Sequence, residues 1–184
     1  MKQLEIVVKI KETYQHTLKF GNLLSTAGEP IVDNRIELFE KKYDIILTEE
    51  FKYILKLNNG FSLGGGIYGL GEEFGGGSLE KMYELMHQHF QDFIPKRVVP
   101  FSSDGAGNCY CLYLDIKQTE TCPILFYQQD YDYENFNEIE VCNASLAEWI
   151  DEVCIGWTLQ DYDYDGNSKS DIFYRLKHLF KKEK

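Results

Sequence analysis

The sequence predicts an α+β fold in which a single twisted antiparallel sheet is flanked by helices. After the first thirty residues, helical patterns come first, four short strand patterns follow between residues 97 and 142, and further helical patterns end the chain. The strand patterns are joined by short connections without helical periodicity, which favours antiparallel pairing because parallel strands need long crossovers. A chain of 184 residues, 43% of them apolar, is long enough for one domain with a substantial core.

The first thirty residues are predicted to form an N-terminal extension, a strand plus a loop, that packs on the main domain. Residues 4–10 alternate apolar side chains with a mostly polar face, which is typical of a half-buried strand. Residues 25–30 include Gly28 and Pro30 and indicate a loop. We therefore place the main domain at residues 31–184.

Amphipathic spacing predicts most helices of the main domain. Apolar side chains recur every three to four residues over 34–43, over 48–58, over 79–93 and over 145–157, where Trp149 and Trp157 share the buried stripe. A last helix, beginning at Ser170, carries cationic side chains near its end, as suits the helix dipole.

Residues 100–115 combine a glycine turn with a strand of alternating faces. The turn holds Gly105 and Gly107 between Asp104 and Asn108, residue types that accept turn conformations. Because side chains alternate along a strand, its two faces should carry Tyr110, Leu112 and Leu114 on one side and Cys109, Cys111 and Tyr113 on the other.

The composition limits the class of partner. The formal charge is −11, from 30 acidic and 19 basic residues, and such a field attracts cationic proteins and repels nucleic acid and anionic lipid. Solubility alone explains the charge equally well. Five cysteines without a Cys-x-x-Cys pair, no secretory leader and no long apolar run predict a cytoplasmic protein with reduced, mostly buried thiols.

Acidic and aromatic side chains alternate in two segments, residues 128–136 and 161–167. Exposed tyrosines are good interface anchors, and neighbouring carboxylates suit a basic partner. For residues 128–136 the alternative is a solvated hairpin loop, and for residues 161–167 it is a calcium loop, which is not favoured. The two interpretations of Asp104 are a hydrogen bond to the backbone of its own turn, which is favoured, and a place on a binding face. The candidate partner-binding residues are Glu72, Glu73, Asp104, Asp130, Tyr131, Asp132, Tyr133, Glu134, Phe136, Asp161, Tyr162, Asp163 and Asp165.

The sequence offers little for catalysis, and we expect no catalytic residue, cofactor or metal. There is no Gly-x-Ser-x-Gly elbow. His87 and His89 are two residues apart on a predicted helix and face different directions. Residues 161–167 begin like a calcium loop, but Ile172 stands where the bidentate glutamate is required.

Several motifs, in order, resemble the SUKH superfamily, the Smi/Knr-like proteins, over residues 33–157. Residues 36–45 resemble that family's opening helix, with Asp44 and Thr48 where glycine and proline are usual. Residues 49–60 resemble its second helix, and residues 100–115 are the best match. The resemblance implies the α+β fold and a bacterial cytoplasmic immunity protein that blocks the toxic domain of a secreted toxin, commonly a nuclease.

The function expected from this resemblance is binding, not catalysis. The partner would be a basic protein, the C-terminal domain of a toxin, and this chain would act as a monomer or weak homodimer, with no direct nucleic-acid or membrane partner. Superfamily members that act as adaptors in signalling or cell-wall regulation provide the alternative function. An unrecognised enzyme is a third hypothesis, and a deep pocket of titratable groups with shifted pKa values would mark it.

Overall fold

The computed structural model describes residues 2–21, 23–26, 28–71, 78–89 and 93–171. Its helices are α1 (Lys2–Thr17), α2 (Asp33–Tyr43), α3 (Glu49–Leu57), α4 (Leu79–His89), α5 (Leu146–Trp149) and α6 (Trp157–Asp161), the last two joined by a π-helical segment (Ile150–Gly156). Short 3-10 turns cover Leu18–Phe20 and Phe136–Glu138. The strands are β1 (Ser25–Thr26), β2 (Phe61–Leu63), β3 (Gly65–Ile67), β4 (Val98–Ser103), β5 (Cys109–Tyr113), β6 (Ile124–Tyr127) and β7 (Glu140–Asn143).

The main sheet is the predicted antiparallel meander, in the order β4-β5-β6-β7. A second sheet, β1-β2-β3, lies beside it, and the hairpin of β2 and β3 was not predicted. The backbone amide of Tyr68 donates to the carbonyl of Phe101 at 2.8 Å, at the bulge in β4. The two sheets are therefore joined at this bulge, and the predicted α+β fold is confirmed.

Both faces of the main sheet are covered, and each has its own core. The larger core includes Tyr110, Leu112 and Leu114, on the face covered by Trp149, whose ring centroid lies 4.9 Å from that of Phe101. The smaller core lies on the other face, and its strand residues include Cys109 and Cys111. The alternation predicted for β5 is confirmed, and it explains why the strand reads as almost continuously apolar.

The predicted strand over residues 4–10 is wrong, because this segment belongs to helix α1. The buried side chains of α1 include Ile10, Thr13, Tyr14 and Thr17, which recur at helical spacing. Residues four apart share a face in a helix and also in a strand, so a window that stops at residue 10 fits both. Packing of Ile10 and Tyr14 in the larger core favours the helix.

The helix that contains Trp149 is also interrupted in a way that the sequence pattern does not predict. Trp149 is fully buried as expected, but Trp157 is 43% exposed. The π-helical segment between them has wider turns, so residues after it are rotated relative to the α-helical stripe. Thr158 is buried instead, and its hydroxyl donates to the Cys154 carbonyl at 2.6 Å.

Three predicted helix starts agree with the structure. The side chains of Thr48, Ser78 and Ser145 each accept a hydrogen bond from the backbone amide three residues later, which satisfies donors that a helix start leaves unpaired. The predicted helix after Ser170 lies largely outside the described residues. Within the part of the chain that the structure describes, no helix has the length and apolar character needed to cross a bilayer.

Candidate functional site

The first candidate segment, residues 128–136, forms a loop between β6 and β7 that we call the acidic–aromatic loop. Its carboxylates and its aromatic rings are arranged differently. Asp130, Asp132 and Glu134 are exposed, whereas Tyr133 and Phe136 are partly buried against the smaller core. Tyr131 is 54% exposed. Two of the three predicted ring anchors therefore hold the loop on the sheet, and Tyr131 is the one most available to a partner.

Tyr131 packs on a continuous series of aromatic rings that leads to the sheet. The Tyr131 and Tyr133 centroids are 4.6 Å apart, and Tyr133 stacks on Tyr127 of β6 at 5.5 Å. The Tyr133 hydroxyl also accepts a hydrogen bond from the backbone amide of Gln128 at 3.0 Å. Because these contacts fix the base of the loop, Tyr131 and the adjacent carboxylates are presented in a defined arrangement.

Asp104 has a structural role in its own turn. One carboxylate oxygen accepts from the backbone amides of Ala106 and Asn108, and the other accepts from the Asn108 side chain at 2.7 Å. The Asn108 side chain in turn accepts from the backbone amide of Gln129 at 3.0 Å. The turn is thus joined to the acidic–aromatic loop, although the Asp104 carboxylate itself is engaged in shaping it.

An apolar groove of about 480 Å³ lies beside this loop and the Asp104 turn. Helix α4 forms one wall, and β5 and β6 contribute the opposite side. Its lining includes Met82, Leu85, Met86, Cys109, Tyr127 and Gln129. Tyr127 therefore belongs both to the groove and to the ring series under Tyr131, so groove and loop form one contiguous surface.

This groove was not predicted from the sequence. The feature of the sequence that could have indicated the groove is Leu85 in α4. This apolar residue lies off the buried stripe of Leu79, Tyr83 and Met86 and is 46% exposed. An apolar side chain on the polar side of an amphipathic helix can indicate a contact surface. The other half of the groove depends on strand pairing, which the helix pattern alone does not reveal.

The second candidate segment, residues 161–167, contacts a different part of the molecule; we call it the Asp161 loop. The Tyr164 ring packs on Phe20 with centroids 4.7 Å apart, and its hydroxyl lies 2.8 Å from the Nε2 atom of His16. The Asp163 carboxylate accepts from the backbone amides of Asp165 and Asn167 and so shapes its own turn. The loop is therefore anchored to the region of α1.

The structure brings some of the predicted residues together and separates others. Asp104, Asp130, Tyr131, Asp132, Tyr133, Glu134 and Phe136 belong to two connected segments beside the groove. Asp161, Tyr162, Asp163 and Asp165 belong to the loop held against the α1 region. Glu72 and Glu73 lie outside the described residues.

The thiols are poorly suited to nucleophilic chemistry. Burial raises the pKa of Cys109 and of Cys142 to about 11, and that of Cys122 and of Cys154 to about 12. Burial also raises the pKa of Cys111 well above its usual value. Since the thiolate is the reactive form, these raised pKa values disfavour it near neutral pH. Over the described ranges, histidine, cysteine and carboxylate side chains form no cluster of three or more suited to a metal ion.

Comparison with known proteins identifies the family. Residues 30–152 match the SMI1 / KNR4 family (SUKH-1). This match covers the main sheet, α2 to α4 and the start of the helix that contains Trp149, and leaves out α1 and the Asp161 loop. No curated protein matches the chain. The family match spans about two thirds of the sequence and agrees with the fold, so this chain belongs to the SMI1 / KNR4 family (SUKH-1).

Proposed function

We propose that this protein is a bacterial cytoplasmic immunity protein that binds a toxin domain and neutralises it. It acts by occupying a surface of the toxin and catalyses no reaction itself. The contact surface is centred on the acidic–aromatic loop and includes the adjoining Asp104 turn. Family membership and the net charge of −11 support a protein-binding role with a basic partner.

One observation carries this proposal: an exposed tyrosine stands among exposed carboxylates on a rigid base. Tyrosine supplies a large contact area with few rotatable bonds, which makes it effective at the centre of an interface. The exposed carboxylates of Asp130 and Asp132 flank Tyr131 directly. The Tyr127–Tyr133 stack holds the loop against β6, and such restraint lowers the conformational entropy that would be lost on binding.

The charge indicates how association would proceed. Carboxylates on the loop accelerate encounter with a basic surface, an effect that salt screens. If the toxin domain is a nuclease, its cationic groups are those that bind phosphate. The acidic–aromatic loop would then cover the surface of the toxin that binds the nucleic-acid backbone, and so it would exclude the substrate.

A protein-binding adaptor of the same family is the second candidate. The same loop would serve such a role, and family membership fits both functions. The two functions differ in their partners, because an immunity protein has one toxin encoded beside it and an adaptor has several partners. The neighbouring gene therefore supplies the first protein to test.

The test is co-expression of this chain with the C-terminal domain of the neighbouring toxin, followed by co-purification and a rescue assay in cells. We expect a one-to-one complex whose association rate falls steeply between 50 and 500 mM NaCl. A complex whose affinity does not change over that range would contradict the proposal that the carboxylates of the loop guide association. Failure to bind or rescue would contradict the immunity function and favour the adaptor.

Two matched double variants locate the contact surface. Asp130→Asn with Asp132→Asn and Asp161→Asn with Asp165→Asn change the net charge equally, on the two different loops. We expect the first pair to reduce the association rate about tenfold and the second to reduce it less than twofold. Tyr131→Ala should increase the dissociation rate. Equal effects of the two pairs would mean that overall charge, and not the acidic–aromatic loop, guides binding.

A further inference from the structure

The groove beside the acidic–aromatic loop has features that the proposed function does not use. Its lining is mainly apolar, with His89, Ser103 and Gln129 as its polar side chains, and Leu85 is 46% exposed. Met82 and Met86 line it on the α4 side, and methionine side chains adapt readily to different apolar shapes. A volume of about 480 Å³ is sufficient for one large apolar side chain of a partner.

We infer that this groove receives an apolar side chain of the partner, carried on a segment that has lysine or arginine residues beside it. The inference rests on the proposed function and specifies the class of partner segment. The apolar lining selects an aromatic or long aliphatic anchor. The carboxylates of Asp130 and Asp132, on the loop that continues from the groove residue Gln129, select flanking cations.

The junction between groove and loop supports a single footprint. The Gln129 backbone is held by the Asn108 side chain at 3.0 Å, and a methyl group added at Gly107 would lie 2.6 Å from the Gln129 side-chain oxygen. Gln129 is therefore packed closely against the Asp104 turn at one end of the groove. Tyr127 continues from the groove to Tyr133 and Tyr131. An anchor in the groove and a cation above Asp130 would thus contact one continuous, preformed surface.

The carboxylates and Tyr131 favour a protein segment over a small metabolite. A metabolite enclosed in the groove would leave the exposed ring and the carboxylates outside its contacts. A basic segment with an apolar anchor contacts all three features at once. Apolar anchors in desolvated pockets, surrounded by polar contacts, are the usual source of interface affinity.

The test uses the full-length chain labelled with ¹⁵N and three capped pentapeptides. The first has a central phenylalanine with two lysines on each side, the second has serine at the centre, and the third has glutamates in place of the lysines. With the first peptide, we expect saturable NMR shifts of the amides of Leu85, Cys109 and Gln129. The serine and glutamate peptides should each bind at least tenfold more weakly.

A matched pair of variants provides the control. Leu85→Lys and Leu38→Lys make the same chemical change, and Leu38 is 60% exposed on α2, outside the groove lining. Leu85→Lys should abolish the shifts and Leu38→Lys should preserve them. Both variants should melt within a few degrees of the unmodified protein; if either does not, Leu85→Ser and Leu38→Ser replace them.

The outcomes separate this inference from the proposed function. No saturation by 5 mM of the phenylalanine peptide, equal binding of the serine peptide, or shifts centred on the Asp161 loop would each overturn the groove assignment. None of these results depends on the toxin. The proposed function is tested separately, by the co-purification and rescue experiments with the toxin domain.

Discussion

The carboxylate of Glu50 in α3 accepts a hydrogen bond from the backbone amide of Leu146 at 3.3 Å, across 96 residues of sequence. The Thr121 hydroxyl donates to the same oxygen at 2.5 Å. Glu50 is almost fully buried. The Glu50 side chain therefore accepts from an otherwise unpaired backbone amide in the first turn of α5, and it connects α3 to the loop before β6.

Replacing Glu50 tests this connection. Burial raises the pKa of Glu50, and hydrogen bonds from Thr121 and from the amides of Leu146 and Ala147 oppose the shift. When the pKa of a carboxyl group is higher in the folded protein than in the unfolded chain, the group stabilises the folded state fully at pH values below the unfolded pKa. This stabilisation is lost as the pH rises through the folded pKa. Glu50→Gln, which does not titrate, should therefore become more stable relative to the unmodified protein as the pH rises from 4 to 8.

Urea unfolding at several pH values measures the difference between the two proteins. Glu50→Ala provides the contrast, because it leaves the Leu146 amide and the Thr121 hydroxyl without their acceptor. It should lower the free energy of unfolding by about 2–4 kcal/mol. A pH-independent difference between the Glu50→Gln variant and the unmodified protein would show that Glu50 titrates normally in the fold.

Gly64 provides a second prediction, which concerns the close approach of the β2–β3 turn to the π-helical segment. It has φ +65°, and an added methyl group would lie 2.7 Å from the Thr158 hydroxyl oxygen and 2.9 Å from the carbonyl oxygens of Val153 and Cys154. Gly64→Ala should destabilise by about 2–5 kcal/mol, from the left-handed backbone and the overlap together. Thermal unfolding measures the change.

Gly105→Ala is the matched control for the effect of the backbone. Gly105 also has positive φ, +79°, but a methyl group there would meet nothing within 4 Å. The expected loss is about 1–2 kcal/mol. Equal losses at the two sites would mean that the contact between Gly64 and the π-helical segment contributes little.

The parts of the fold that were predicted correctly are those in which the local sequence pattern and the tertiary packing favour the same structure. The β5 alternation and the helix starts near residues 48, 79 and 145 are examples, because each depends on neighbours close in the chain. Residues 4–10 and Trp157 were misassigned because their positions depend on distant contacts. The π-helical segment, packed against Gly64, changes the helix phase before Trp157 is reached.

The candidate site was predictable in composition but not in arrangement. The two acidic, tyrosine-rich segments look alike in sequence, yet one continues from the groove and the other is held by His16 and Phe20. That difference arises from strand order and from α1, of which residues 4–10 were predicted as a strand. The internal role of Asp104 was anticipated from turn chemistry, because the interaction is local.

Asn59 provides a third prediction, at the end of α3. Its buried side chain accepts from the Leu70 backbone amide at 2.6 Å and donates to the Leu70 carbonyl at 2.8 Å. Asn59→Ala should therefore cost about 2–4 kcal/mol, because the Leu70 amide loses its acceptor and the Leu70 carbonyl keeps only the bond from the Arg35 side chain at 3.2 Å. Asn58→Ala removes the side-chain contact with the Tyr14 hydroxyl and should cost about 1 kcal/mol. Chemical denaturation compares them, and equal costs would contradict the two-bond arrangement.

The last prediction concerns whether α1 folds together with the family domain, whose match begins only at residue 30. Ile10 is fully buried in the larger core, and Lys9 pairs with Glu148 at 2.9 Å. Ile10→Ala should lower the free energy of unfolding by about 2–4 kcal/mol, whereas Val8→Ala, at an exposed position of the same helix, should change it by less than about 0.5 kcal/mol. Urea unfolding followed by far-UV circular dichroism and by tryptophan fluorescence should shift equally for Ile10→Ala, since Trp149 reports on the same core. A fluorescence transition that stays in place while the helical signal falls would mean that residues 1–30 fold separately from the domain.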